Sequence, residues 1–108
     1  MAALEGAARN SAYGASKAAV CSMIRAVAVE YARYGVTANA ILPGWIATDM
    51  TGQAQDNQKF VDNVISRVPM RRWGEPEDFG GVAVYLASSA SRFHTGDSFL
   101  IDGGYCVF

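Results

Sequence analysis

The sequence predicts an α/β fold with a parallel sheet layered with helices, and three observations predict it. A long, alanine-rich helical pattern runs from Ala15 to Tyr34 and gives way at Gly35 to a short, mainly apolar run, "VTANAIL", residues 36–42. Turn signals bound that run on both sides, as expected of a strand covered on both faces. A second apolar run, residues 98–101, follows a further helical pattern near the end of the chain. Helix and buried strand in alternation are the mark of βαβ units and a parallel sheet.

The first helix is supported by Val20, Met23, Ile24, Val27 and Tyr31, which recur at i, i+3, i+4 and i+7. Gly35 follows the last periodic residue and suits a left-handed C-cap. Residues 36–42 form the first expected strand, and Pro43-Gly44 ends it. Beyond it, "TDMTGQAQDNQKF" is polar, and Phe60, Val61, Val64, Ile65 and Val68 then regain helical spacing. This reads as a loop followed by a short amphipathic helix, either a packed surface helix or a flap over a site. In "MRRWGEPEDFGGVAVYLAS", Pro76 fits a first helical position, and Glu77 and Asp78 suit its positive end. Phe79, Val82, Ala83 and Leu86 give its apolar stripe. Gly80-Gly81 inside that stripe implies close backbone packing, since each glycine costs about 1 kcal/mol against alanine. Residues 98–101 form the last strand, with Gly103-Gly104 as a turn.

Composition narrows the functional classes. The chain has 108 residues, 51% of them hydrophobic and 18% charged, with net charge −1. That is the composition of one small globular domain. No basic block marks a nucleic-acid surface. Arg71-Arg72 reads as a solvated or inter-subunit pair. No apolar run reaches the roughly 20 residues of a membrane span, and "MAALEGAARN" lacks the form of a signal peptide. Cys21 and Cys106 are unclustered, which suits a reduced, cytoplasmic protein and no metal site. His94 stands apart from other candidate ligands and reads as structural.

One stretch carries chemistry. In "NSAYGASKAAV", residues 10–20, Tyr13 and Lys17 are one helical turn apart. With about 100° per residue, both fall within roughly ±40° of the line through Val20, Ile24, Val27 and Tyr31. A lysine on the core stripe, near the positive end of a helix, needs a reason. Acid–base chemistry supplies one: an ammonium beside a phenol favours the phenolate, whose reference pKa is about 10, and prepares the hydroxyl to exchange a proton with a carbonyl or alcohol. A second stretch, "NAILPGWIAT", sets Pro43-Gly44 at the carboxyl end of a parallel strand, where open α/β sheets bind ligands. Gly44 permits close approach, Ile46 offers backbone groups and Thr48 a hydroxyl.

Together, "YGASK", "NAILPGWIATDM", "GEPEDFGGVAVYLAS" and "GDSFLIDGGY" occur in the order in which they stand in the C-terminal half of a short-chain dehydrogenase/reductase, which the whole chain resembles. Members with similar sequences include 3-oxoacyl reductases and gluconate dehydrogenases. The resemblance implies the last two strands of a Rossmann-like, doubly wound parallel sheet with flanking helices. It implies an oxidoreductase moving a hydride between NAD or NADP and a carbonyl or alcohol substrate. Tyr13 would be the general acid/base, and Lys17 would assist it and hold the nicotinamide ribose. Pro43, Gly44, Ile46 and Thr48 would border the nicotinamide, with residues 49–66 as the substrate loop. It also implies a homo-oligomer, dimer or tetramer, with "DGGYCVF" at a subunit contact.

The sequence departs from the family in its first half. No G-x-G occurs anywhere, so the pyrophosphate cradle is missing. The family's serine would fall just before Met1, and Ser11 and Ser16 stand at the wrong spacing to replace it; Asn10 and Asn39 do not match its relay asparagine. Residues 1–108 are thus expected to be a single partial domain lacking the cofactor-binding half, whether as a truncated product, a misassigned start or part of a longer protein. With only two strands to cover the stripe of the first helix, the isolated chain is expected to expose an apolar patch and to dimerise or pack loosely. It is also expected to be inactive, and the alternative function is a non-catalytic binding or oligomerisation module.

Overall fold

The computed structural model describes residues 2–6 and 8–108. Helix α1 spans Ser11–Tyr31, continues as a 3₁₀ turn through Ala32–Tyr34, and ends at Gly35 with φ 76°. Strand β1 (Ala40–Pro43) follows. A 3₁₀ turn, Asp49–Thr51, leads into the short helix α2 (Gly52–Gln55) and then α3 (Gln58–Arg67). Pro76–Phe79 forms a 3₁₀ turn running into α4 (Gly80–Ala87), and β2 (Ser98–Ile101) closes the sheet. The two strands are parallel, with Ala40 opposite Ser98 and Pro43 opposite Ile101.

The α/β class, the parallel pairing and the limits of β2 are as the sequence predicts. Helix α1 begins four residues earlier than its periodicity indicated, so Tyr13 lies in its first turn. Strand β1 begins four residues later than expected, at Ala40 rather than Val36. The backbone before it is used otherwise: Ala38 N–H donates to Thr95 Oγ1, and Ala38 O accepts from Gly96 N–H. Asn39 then clamps the start of β2, donating to His94 O and accepting from Asp97 N–H.

The core sits beneath the second half of the chain. Val64, Val68 and Tyr105 are buried together, with Trp45, Phe60, Trp73 and Cys106 packed against them. Helix α3 reaches this core because its apolar residues fall on one side, and Asn57 caps its start by accepting from Phe60 N–H. The chain then turns sharply at Gly103 and Gly104, with φ of 65° and 89°. A Cβ on Gly103 would stand 2.8 Å from Val68 Cγ1, so both the backbone and the packing require glycine there. Asp102 caps the turn, its two carboxylate oxygens accepting from Gly104 N–H and Cys106 N–H at 2.8 Å. Tyr105 of "DGGYCVF" therefore belongs to the chain's own core, while Val107 and Phe108 are exposed.

The α1 stripe lacks a full cover, as expected of a partial domain with only two strands: Val20 is 47% and Met23 56% exposed, and Ala28 is the one buried residue of the helix. The reason is the size of the sheet. Two strands present too little surface to cover a 21-residue helix, which meets the body where Gly96 approaches Ala28. For the same reason β1 is not covered on both faces; only Leu42 is buried. Nor do Gly80 and Gly81 meet a neighbouring backbone, since a Cβ on either would contact nothing within 4 Å.

The exposed area is correspondingly large. The chain presents 7456 Å², against about 5,800 Å² expected for a compact monomer of this mass. Its radius of gyration is 15.6 Å, against about 13 Å for a chain near this length. Among the described residues, no helix is long and apolar enough to cross a membrane.

Candidate functional site

The residues singled out by the sequence fall into two groups. Tyr13 and Lys17 lie one turn apart on α1, and the Lys17 ammonium stands over the Tyr13 ring, 5.3 Å from its centroid. Ser16, between them, donates to Tyr13 O at 2.7 Å. The pair is not buried: Tyr13 is 51% exposed and Lys17 is exposed. Helical spacing sets the two side chains on one side of the helix, as expected, but that side is not buried here. They occupy a cation–π geometry open to a ligand, on the part of α1 that the sheet does not reach.

Pro43, Gly44, Ile46 and Thr48 are brought together in the turn that leaves β1. Gly44 donates to Ile101 O at 2.9 Å, prolonging the pairing with β2 by one residue. A Cβ on Gly44 would lie 2.5 Å from Asp102 Cα, so its lack of a side chain serves the contact between the two strand ends. Ile46 pairs with Gly74: Trp45 O accepts from Gly74 N–H at 2.9 Å, and Ala47 N–H donates to Gly74 O at 2.8 Å. The Ile46 carbonyl accepts from Thr51 Oγ1 at 2.8 Å. The N–H groups of Trp45 and Ile46 have no protein partner among the described residues. Thr48 is exposed, its hydroxyl 3.4 Å from that of Thr51. The turn therefore offers two unused backbone donors and a hydroxyl at the carboxyl end of a parallel strand. No hydrogen bond, ion pair or ring contact joins Tyr13 or Lys17 to residues 44–48 among the described residues.

An aromatic cluster supports this turn from below. Trp45 packs edge-on against Phe60, Trp73 and Tyr105, with centroids 5.5, 5.9 and 6.3 Å away. A cavity of about 190 Å³ opens beside it, lined by Trp45, Ile46, Arg72, Asp78, Phe79 and Asp102 among others. Arg72 and Asp78 close one side with paired hydrogen bonds of 2.7 and 2.8 Å. The guanidinium, aided by Glu75 N–H, holds the Asp78 carboxyl far below the usual carboxylate range. Arg72 is thus ion-paired with Asp78 while its side chain stays solvent-exposed. Arg71 has a left-handed backbone with φ 55° and donates to Ser66 O.

Sequence reasoning missed a third cluster. His94 Nε2 lies 2.8 Å from Asp97 Oδ2, and His94 Nδ1 lies 2.9 Å from the Tyr85 hydroxyl. Phe99 packs on the imidazole with centroids 4.8 Å apart. The i, i+3 spacing of His94 and Asp97 was a signal; Tyr85, on α4, gave none. This cluster sits where β2 begins, at the opposite end of the sheet from residues 43–48. Among the described residues, no group of three or more His, Cys, Asp or Glu could hold a metal ion.

Comparison with known proteins places this geometry among related chains. The family described as enoyl-(acyl carrier protein) reductase matches residues 1–106. A 2-dehydro-3-deoxy-D-gluconate 5-dehydrogenase of Dickeya dadantii (strain 3937) is 41% identical over 105 residues, which is 97% of this chain and 42% of that protein. A gluconate 5-dehydrogenase of Burkholderia cenocepacia J2315, solved in complex with NADP and tartrate, superposes with TM-score 0.85 at 35% identity, covering 89% of this chain and 38% of that one. A 4-hydroxyisoleucine dehydrogenase complexed with NADH superposes with TM-score 0.95 at 32% identity, covering 99% of this chain and 44% of that one. The chain spans about two-fifths of the length of these relatives.

Proposed function

Because the chain belongs to the short-chain dehydrogenase/reductase family, we propose that it carries the proton-transfer and nicotinamide-facing part of an NAD- or NADP-dependent oxidoreductase. The substrate class is a polyhydroxylated carbonyl or alcohol of the sugar-acid kind, a reading supported by the gluconate-type names of its relatives. The observation that carries the proposal is the placement of the Lys17 ammonium over the Tyr13 ring on an open part of α1.

In this reading Tyr13 Oη gives its proton to the carbonyl oxygen during reduction, and takes one from the alcohol in the reverse direction. Lys17 offers positive charge to the phenol oxygen as the proton leaves and donors to neighbouring ribose hydroxyls. The residues present fit an amide-bearing ring: the free N–H groups of Trp45 and Ile46 and the Thr48 hydroxyl are what a carboxamide accepts from and donates to. Pro43 and Gly44 would form the edge of that site. A bound nicotinamide supplies the hydride. The sequence contains no G-x-G, the kind of turn that cradles a pyrophosphate at a helix N-terminus. Residues 1–108 act as a partial domain, working in a reduced, cytoplasmic setting as part of a homo-oligomer.

A second reading is favoured by the exposed area. A chain that presents 7456 Å², well above the compact expectation, suits a binding or oligomerisation module without activity of its own.

Two experiments separate the readings. NADH and NADPH titrated into the isolated chain, read by nicotinamide fluorescence, give saturable micromolar binding only if the chain holds cofactor unaided. A chimera with residues 2–106 in place of the matching segment of the Dickeya relative should oxidise that relative's substrate. A folded chimera without turnover would leave only the second reading.

A further inference from the structure

Thr51 joins two parts of the site that no motif connects. Its hydroxyl has one proton and two lone pairs, and all are used. It donates to Ile46 O at 2.8 Å, with Thr48 O a second acceptor at 3.0 Å. It accepts from Thr48 N–H at 2.9 Å and from Gln55 Nε2 at 3.0 Å. One side chain thus bonds the turn at the end of β1 on one side and helix α2 on the other. The bond to Ile46 O fixes the plane of the Ile46–Ala47 peptide, which Gly74 also holds through Ala47 N–H. Helix α2 is a single turn of four residues and cannot hold its shape alone; its backbone bond from Asp56 N–H to Gly52 O is supported by the Gln55 side chain reaching back to Thr51.

We infer that Thr51 is a positioning residue that couples the order of the 52–57 segment to the peptide at Ile46. Thr51 holds the Ile46–Ala47 peptide, next to the Trp45–Ile46 peptide that carries the Ile46 N–H, so a ligand on the free Trp45 and Ile46 N–H groups and the order of α2 influence each other across Ile46. The inference rests on the nicotinamide-facing reading of the 43–48 turn only for the identity of the ligand. The coupling itself is a property of the free chain.

The test is amide hydrogen exchange on the full chain, with Thr48 N–H reporting the turn and Asp56 N–H reporting α2. Thr51→Val keeps the shape and removes the hydroxyl. It should speed exchange about three- to tenfold at both amides, the range for losing one or two ordinary hydrogen bonds. Thr51→Ser should restore both. Gln55→Ala, which cuts only the α2 side, should speed Asp56 and leave Thr48 within about twofold. NADPH added to the wild type should slow exchange at both amides, and in Gln55→Ala at Thr48 alone. A Thr51→Val effect confined to Thr48, or a Thr51→Ser variant that behaves like valine, overturns the inference. If Thr51→Val does not fold, a Gln55→Ala variant with unchanged Asp56 exchange overturns it equally. If NADPH protects neither amide in the wild type, the cofactor reading fails for the isolated chain, and the variants alone decide the coupling.

Discussion

Lys17 Nζ stands 5.3 Å from the centre of the Tyr13 ring, one helical turn further along α1, and both side chains are open to solvent. In the proposed reading this cation supports the phenol as its proton leaves and bonds a ligand hydroxyl. In the Dickeya chimera, Lys17→Met should therefore lower turnover and raise the KM for cofactor together, each by roughly tenfold or more. Lys17→Arg should recover part of the first effect and little of the second, because the guanidinium cannot reproduce a compact ammonium. Steady-state kinetics with varied cofactor separates the two parameters.

Gly103 and Val68 should be coupled in stability. A Cβ on Gly103 meets Val68 Cγ1 at 2.8 Å, and φ is 65°. Gly103→Ala should destabilise the chain by about 1–3 kcal/mol, from strain and overpacking. Val68→Ala removes the offending methyl while opening a cavity. In that background Gly103→Ala should cost less, a favourable coupling of about 1 kcal/mol. Urea unfolding of the four proteins in the cycle measures it; strict additivity would show that Val68 is not what excludes the side chain.

Acid should loosen the start of β2. The hydrogen bond from His94, followed by that from Ser98 N–H, holds the Asp97 carboxyl below its ordinary range. A depressed carboxyl contributes stability that is present above its unfolded pKa of about 3.9 and disappears as pH falls through the lower folded value. The wild type should thus lose stability below about pH 4 more steeply than Asp97→Asn. Thermal melts between pH 2 and 6, on an order of one unit per step, compare the slopes; equal slopes would remove Asp97 from the account.

The two cysteines should differ in reactivity. Burial, helped by the hydrogen bond with Asp102, pushes the Cys106 thiol up to about 12. The thiolate is the reactive form, so at pH 8 Cys106 should label with iodoacetamide at least about tenfold more slowly than Cys21. Urea should abolish the difference. Peptide-resolved mass spectrometry reads both sites, and equal rates in the native chain would contradict the packing around Tyr105 and Cys106.

How much of this could be read from the sequence depended on whether a feature was local. The parallel strand at 98–101, the Gly35 cap and the Gly103-Gly104 turn follow from nearest neighbours, and they stand as expected. The pairing of Tyr13 with Lys17 is a matter of helical spacing and was equally legible. Burial was legible only in part. The periodicity of Val20, Met23 and Tyr31 shows which side of α1 requires cover, and the two expected strands are too few to supply it; the exposure of β1, of which only Leu42 is buried, was not legible from its apolar run. Strand β1 starts late because Ala38 and Asn39 bond to residues 94–97, more than fifty positions away. The Tyr85–His94 contact and the Thr51 network depend on the same long-range or turn geometry, which apolar patterning does not encode.

Whether Tyr13 is the proton carrier is read from Tyr13→Phe in the Dickeya chimera. Phenylalanine keeps the ring under Lys17 and removes only the hydroxyl. Turnover should fall by about 10²–10⁴-fold while NADPH affinity stays within about threefold, a change below the worth of one ordinary hydrogen bond. A folded Tyr13→Phe chimera that turns over at the wild-type rate would contradict that role.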